Sequence, residues 1–211
     1  MDMTYENNLV RLCGQLGGRP VFSHASRSEE FFSFPLEVAR LSGNVYRIPL
    51  LVRKSQLGLV EAAEADRLSV TGELRSFNNR RGEGARLVIT VLVRELAFSG
   101  PEAEDDNRVE LSGTLCKAPN FRTTPMGRDI CDLMLAVNRR YGRSDYLPCI
   151  CWGLKAREAS GWEVGTRLHL SGRIQSRSYI KLTDSGPAEK TAYEVSAAEV
   201  EVLSDSFCRR P

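Results

Sequence analysis

The chain has 211 residues, with 29 Lys and Arg against 27 Asp and Glu, six Cys and 42% hydrophobic residues. Its length suits one large domain or two of about 100 residues, and its apolar fraction suffices for packed cores rather than disorder. No apolar run approaches the roughly 18 residues of a membrane-spanning helix, residues 1–6 lack the basic and apolar regions of a signal peptide, and a net charge of +2 does not advertise a nucleic-acid partner.

In chain order, Val10 and Leu12 alternate toward Gly14, where a glycine lets a strand bend sharply. Phe32, Phe34, Leu36 and Val38 keep period two, the pattern of a half-buried strand. Leu41-Ser42-Gly43-Asn44 reads as a hairpin turn, and residues 45–53 form a third strand. The spacing predicts a short helix over 55–65. Leu68, Val70 and Leu74 mark a fourth strand, and a fifth closes the set. The acidic segment 99–106 (Ser-Gly-Pro-Glu-Ala-Glu-Asp-Asp) then reads as a flexible linker.

After it the chain repeats itself. Asn8-Leu9-Val10-Arg11-Leu12-Cys13-Gly14 returns as Asn107-Arg108-Val109-Glu110-Leu111-Ser112-Gly113, an offset of 99 residues. Pro20 falls on Pro119, Phe22 on Phe121, Leu36 on Leu135, Arg40 on Arg139 and Pro49 on Pro148. Leu68, Gly72 and Ser76 match Leu168, Gly172 and Ser176 at offset 100, and Val91 and Glu95 match Val195 and Glu199 at 104. The second copy repeats the strands, with the period-two run Cys131, Leu133, Leu135, Val137, the turn Tyr141-Gly142-Arg143-Ser144 and a shorter helix over 154–160. Five strands with a short helix between the third and fourth is the OB-fold pattern. The fold class expected is therefore all-β, two tandem five-stranded Greek-key barrels. The division expected is 1–98, a linker 99–106, 107–203 and a short tail 204–211.

Aromatic residues divide unevenly. Six of the eight Phe (22, 31, 32, 34, 77, 98) lie in the first copy, whereas both Trp and four of the six Tyr follow residue 106. Tyr141, Tyr146, Trp152 and Tyr179 fall at strand ends of the second copy, around the face this fold uses for single strands. Tyr146 and Trp152 are six apart and so share a face. Arg139, Arg140, Arg143, Lys155, Arg173, Arg177 and Lys181 interleave with them. Rings stack on bases while Arg and Lys hold phosphates. Residues 107–181 hold 13 Lys and Arg against six Asp and Glu, an excess of seven positive charges that the whole-chain sum hides. Trp162 and Tyr193 read as packing residues.

The motifs Leu135-Ala136-Val137-Asn138-Arg139-Arg140-Tyr141, Tyr146-Leu147-Pro148-Cys149-Ile150-Cys151-Trp152-Gly153 and Leu170-Ser171-Gly172-Arg173-Ile174-Gln175-Ser176-Arg177-Ser178-Tyr179, with Asn107–Gly113, are specific together. On them, residues 107–203 resemble the bacterial single-stranded DNA-binding protein family. The resemblance implies non-catalytic coating of single strands in replication, repair or recombination, in the cytoplasm and on the nucleoid. It also implies base stacking on Tyr141, Tyr146, Trp152 and Tyr179, and a homodimer supplying four barrels. Family members commonly end in an acidic, apolar-tipped tail that docks replication or repair proteins; residues 204–211 carry no such tip.

The first copy departs from that pattern. Its matching positions are Ser42, Arg47, Arg53 and Asn79, and neighbouring Tyr46 and Phe77 are taken as out of register, since a one-residue shift turns a side chain to the other face. Two readings stand: weak phosphate holding by Arg47, Arg53, Lys54, Arg75, Arg80 and Arg81, or a structural or assembly domain. For the whole chain, an RNA-binding or primosome-type OB protein and a protein-interaction module stand as alternatives to single-stranded DNA binding. No cofactor or metal is expected. Cys13, Cys116, Cys131, Cys149, Cys151 and Cys208 form no CxxC pair and read as buried small hydrophobes. His24 and His169 show no nucleophile partner in the sequence.

Overall fold

A computed structural model of the chain describes residues 7–40, 42–62, 67–79, 87–140, 142–183 and 186–203. The first copy contributes β1 (Asn8–Leu16), β2 (Val21–Ser26), β3 (Glu29–Ala39), β4 (Val45–Arg53), a 3-10 turn (Lys54–Gln56) running into α1 (Leu57–Ala62), β5 (Arg67–Asn78) and β6 (Leu87–Ser99). The second contributes β7 (Asp106–Leu115), β8 (Asn120–Thr123), β9 (Asp129–Asn138), β10 (Ser144–Trp152), α2 (Leu154–Ala159), β11 (Arg167–Thr183) and β12 (Gly186–Val202). Residues 63–65, the end of the expected first helix, lie outside the described residues.

Each copy closes into a five-stranded barrel. β1 pairs with β5, β5 with β6, β6 runs parallel to β4, β4 pairs with β3, and β3 returns to β1 through Gln15↔Glu37 and Leu16↔Leu36. The second copy repeats this with β7, β11, β12, β10 and β9, closed by Thr114↔Ala136 and Leu115↔Leu135. These are OB-folds. Closure requires β1 to cross tightly over β3. A Cβ at Gly14 would sit 2.2 Å from the Glu37 carbonyl oxygen, and one at Gly113 2.8 Å from that of Ala136. Only hydrogen fits at either crossing.

The sequence reading missed one strand per copy. β2 and β8 form hairpins with β3 and β9, and their side chains are exposed along their whole length. With neither face buried, no hydrophobic period marks them.

Val10, Leu12, Leu36, Ile48, Leu50, Leu68 and Val91 fill the first barrel, and Val109, Leu111, Leu135, Leu147, Leu168, Leu170 and Val195 the second. One Asn serves each barrel alike, buried at Asn8 and half-buried at Asn107. Asn8 donates to the Leu74 carbonyl and accepts from its N–H, both at 2.8 Å, and Asn107 does the same to Ile174 at 2.9 Å. Each amide satisfies a backbone pair on the neighbouring strand.

The barrels join edge to edge. β1 and β7 pair antiparallel with Val10 opposite Val109, its own counterpart in the repeat, so Asn8 faces Leu111 and Leu12 faces Asn107. The register is that of a local two-fold axis through Val10 and Val109. The segment expected to be flexible is tied down near its end: Asp105 pairs with Arg67 and accepts from the Ala39 N–H. Among the described residues no helix is long and apolar enough to cross a membrane.

Candidate nucleic-acid interface

The outer face of the second barrel follows from strand parity. In β10, Asp145, Leu147, Cys149 and Cys151 are buried on one side of the strand, and Tyr146, Pro148, Ile150 and Trp152 share the other, where the two rings are exposed and Ile150 is covered. Register then extends the face. Tyr146 lies opposite Ala136 and Ile150 opposite Asp132 on β9, and Ile150 pairs with Ser196 on β12. Ser196 lies opposite Arg173, Glu194 opposite Gln175, Ala192 opposite Arg177 and Lys190 opposite Tyr179. Tyr146, Trp152, Arg173, Arg177 and Tyr179, singled out from sequence, therefore share one sheet face.

Tyr146 is 51% and Trp152 38% exposed, large values for aromatic rings on a barrel. The Trp152 Nε1–H donates to the Ser196 hydroxyl at 3.2 Å, which anchors a ring that is still partly in solvent. Arg173 stands in the middle of the face. Its Nε is shielded from solvent and has no hydrogen-bond partner among the described residues, so it is a donor without an acceptor. Arg177 lies 3.6 Å from Glu194, which also accepts from Gln175 at 2.8 Å.

The structure adds cations that the sequence reading passed over. Arg122, on the missed strand β8, donates to Asp132 at 2.9 and 3.3 Å, and that hydrogen bond holds its guanidinium firmly charged. Beside Trp152 lies a pocket of about 500 Å³ lined by Arg128, Asp129, Leu154 and Arg157. Hydrogen bonds from Arg157 at 2.6 Å and Thr123 at 3.0 Å keep the Asp129 carboxyl below the usual carboxylate range. These basic residues follow a hairpin without hydrophobic period, so only their charge could have drawn attention.

Other expected residues are placed differently. Tyr141 lies outside the described residues, as do Arg80 and Arg81 of the first copy and Cys208; nothing is described of the Lys181 side chain. Arg140 and Arg143 are exposed on the β9–β10 turn, where Gly142 takes a φ of 74°. Arg139 is half-buried and already engaged. It donates to the fully buried Asp145 from Nε at 2.7 Å and from Nη2, and to the Ser76 carbonyl at 3.3 Å. Lys155 lies on α2, near enough to Cys151 to offset part of the rise in its pKa. Trp162 packs partly buried against the core, and Tyr193 donates to the Arg47 carbonyl at 2.9 Å.

The first barrel presents the same face with different chemistry. Arg47 and Arg53 stand outward on β4, but each meets a carboxylate: Arg47 lies 3.5 Å from Glu37 and donates to the Gly17 carbonyl, and Arg53 lies 3.3 Å from Glu29. Lys54 pairs with Glu30 at 2.5 Å, and Arg75 and Arg94 both pair with Glu73. The exclusion of Phe77 by register needs correction. Phe77 lies two residues from Asn79, not one, so the period of a strand puts them on the same side. Its ring is 53% exposed on the outward side of β5.

The cysteines and histidines behave as structural groups. Cys13, Cys131, Cys149 and Cys151 are buried free thiols, and burial pushes Cys149 up strongly and Cys151 up to about 12. Contrary to the sequence reading, His169 does have a hydroxyl neighbour: Nδ1 lies 2.9 Å from the Ser112 Oγ, and Nε2 3.2 Å from Glu110. Ser112 and His169 are cross-strand partners on the outside of the sheet, and β7 is paired on both sides, by β1 and β11. Its ladder-bonded amides offer no converging pair of donors for an oxyanion.

Comparison with known proteins agrees with this geometry. Residues 106–203 match the model of the Single-strand binding protein family. A single-stranded DNA-binding protein of Clostridium tetani is 38% identical over 80 residues, which are 35% of this chain and 55% of the relative. Single-stranded DNA-binding protein 2 of Listeria innocua is 35% identical over 104 residues, 46% of this chain and 64% of the relative. The chain thus spans between about half and two thirds of the length of these relatives. Along nearly its whole length it has the fold of the wild-type single-stranded DNA binding protein of Thermus aquaticus, with TM-score 0.72, 22% identity, and 97% of this chain and 96% of that chain covered. The likeness to the single-strand binding protein family thus rests on residues 106–203, the second barrel and the face just described.

Proposed function

We propose that the protein binds single-stranded DNA with little sequence preference and without catalysis, chiefly through the outer face of the second barrel, residues 107–203. The observation that carries this is the shared face of Tyr146 and Trp152, two half-exposed rings set among Arg173, Arg177 and Arg122. Bases stack on the rings, and the guanidinium groups meet the phosphates. Tyr179, Arg140 and Arg143 extend the contact along the β11–β12 hairpin and the β9–β10 turn. Residues 1–98 form a second unit across the 99–106 segment. Two copies of the chain assemble to bring four barrels together, and light scattering that finds a monomer at micromolar concentration contradicts that assembly.

Filter binding of oligo-dT, oligo-rU and duplex DNA at two salt concentrations tests the function. Tight, strongly salt-dependent retention of oligo-dT with weak retention of duplex is expected. Preference for rU would favour the RNA-binding reading, and no retention of any of the three would favour a protein-interaction module.

A further inference from the structure

The β9–β10 hairpin, which carries Tyr146 and the basic turn, does not stand on its own barrel alone. Strand β5 of the first copy lies against it, and hydrogen bonds of ordinary length join the two. The Tyr146 N–H donates to the Ser76 hydroxyl at 2.7 Å, the Ser76 N–H donates to Asp145 Oδ1 at 2.7 Å, and Arg75 Nη1 donates to Asp145 Oδ2 at 3.1 Å. Asp145 is fully buried, and it also takes Arg139 from the foot of the turn. One carboxylate therefore gathers a guanidinium from each copy and a backbone amide of the first. A buried charge satisfied by several donors is rigid, because releasing any donor leaves a charge without solvation.

The local two-fold relation makes the device more informative, because the duplication did not copy it. At the counterpart of Asp145 stands Tyr46, and at the counterpart of Arg139 stands Arg40. Arg40 donates to the Tyr46 hydroxyl at 3.1 Å within its own hairpin, and the second copy reaches that side through Tyr193 to the Arg47 carbonyl. The charged lock is built only where the stacking residues are.

We propose that the single-strand site of the second barrel is composite: Ser76 and Arg75 of the first barrel are positioning residues that set Tyr146 and the β9–β10 turn. This gives the ring-poor copy a role in binding without contact to a base. It rests on the reading of Tyr146 as a stacking residue.

The test is a double-mutant cycle in the full chain, with oligo-dT affinity as the readout. Ser76→Ala removes the acceptor of the Tyr146 N–H and is expected to weaken binding about five- to tenfold; Ser76→Thr, which keeps a hydroxyl, restores it. In a Tyr146→Ala background the same Ser76→Ala change is expected to cost less than about twofold, because the group it positions is gone. Arg75→Met follows the same pattern. Equal losses in both backgrounds, or no loss in Ser76→Ala and Arg75→Met while Tyr146→Ala alone weakens binding, would overturn the proposal and leave the stacking reading intact. An unchanged affinity in Tyr146→Ala itself would overturn both.

Discussion

The two barrels share strand order, closing pairs, glycine crossings and an Asn clamp, yet their outer faces differ in the rings they present. In the first barrel Arg47, Arg53 and Lys54 each face a glutamate, and the ring positions hold Ser42, Arg47, Arg53 and Asn79. In the second, Arg122 and Arg177 also lie beside carboxylates, Asp132 and Glu194, but Tyr146 and Trp152 stand half-exposed. The difference teaches that cation count is a poor guide to nucleic-acid contact. Both faces carry Arg beside carboxylates, and what sets the second apart is a pair of half-exposed rings on which bases can stack.

The largest expected effect comes from removing the rings. Tyr146→Ala with Trp152→Ala should cost about 2–6 kcal/mol of oligo-dT binding, from roughly 1–3 per stacked base. Arg47→Ala with Arg53→Ala, on the equivalent strand of the first barrel, should cost under about 1 kcal/mol. Comparable losses measured by titration of the two variants would erase the asymmetry.

Next is the lock between the copies. Asp145→Ala strands Arg139 and Arg75 beside a buried void, and urea denaturation should show a loss of about 3–5 kcal/mol. Tyr46→Phe at the counterpart position removes only one hydroxyl contact and should cost about 0.5–1.5 kcal/mol.

The glycine crossings rank below that. Gly14→Ala and Gly113→Ala should each destabilise by about 1–3 kcal/mol through overpacking, and Gly14→Ala should be the worse, because the added Cβ falls 2.2 Å rather than 2.8 Å from a carbonyl oxygen. A reversed order in thermal melts would mean that the first barrel closes more loosely than its geometry indicates.

The smallest effect is a gain. Glu29→Gln with Glu37→Gln takes the carboxylates from Arg53 and Arg47 and should raise affinity by up to about 1 kcal/mol at low salt. The gain should vanish as salt screens the phosphate contacts. A gain that persists at high salt would point to something other than released charge.

Much of this was legible in the sequence because it is local or periodic. Val10, Leu12 and Gly14 announced the bent first strand, the offset of 99 residues announced the second barrel, and the spacing of Tyr146 and Trp152 put both rings on one face. What escaped depends on distance or on exposure. The Ser76–Tyr146 contact joins positions 70 residues apart, and nothing in the sequence marks Asp145 as the acid that the neighbouring copy buries. β2 and β8 escaped because an edge hairpin with no buried face has no pattern to show. Arg139 read as a phosphate contact because charge is visible in sequence and the carboxylate that occupies it is not.

The central claim is that bases stack on the second barrel's outer face. Since the chain has two Trp, the Trp162→Phe variant leaves Trp152 as the only indole, with the replaced ring still packing against the core. Its fluorescence on titration with oligo-dT tests the claim most directly. The account predicts saturable quenching that shifts steeply to higher protein and oligonucleotide concentrations as salt is raised. Binding of oligo-dT by the same sample with no change in Trp152 emission would contradict it.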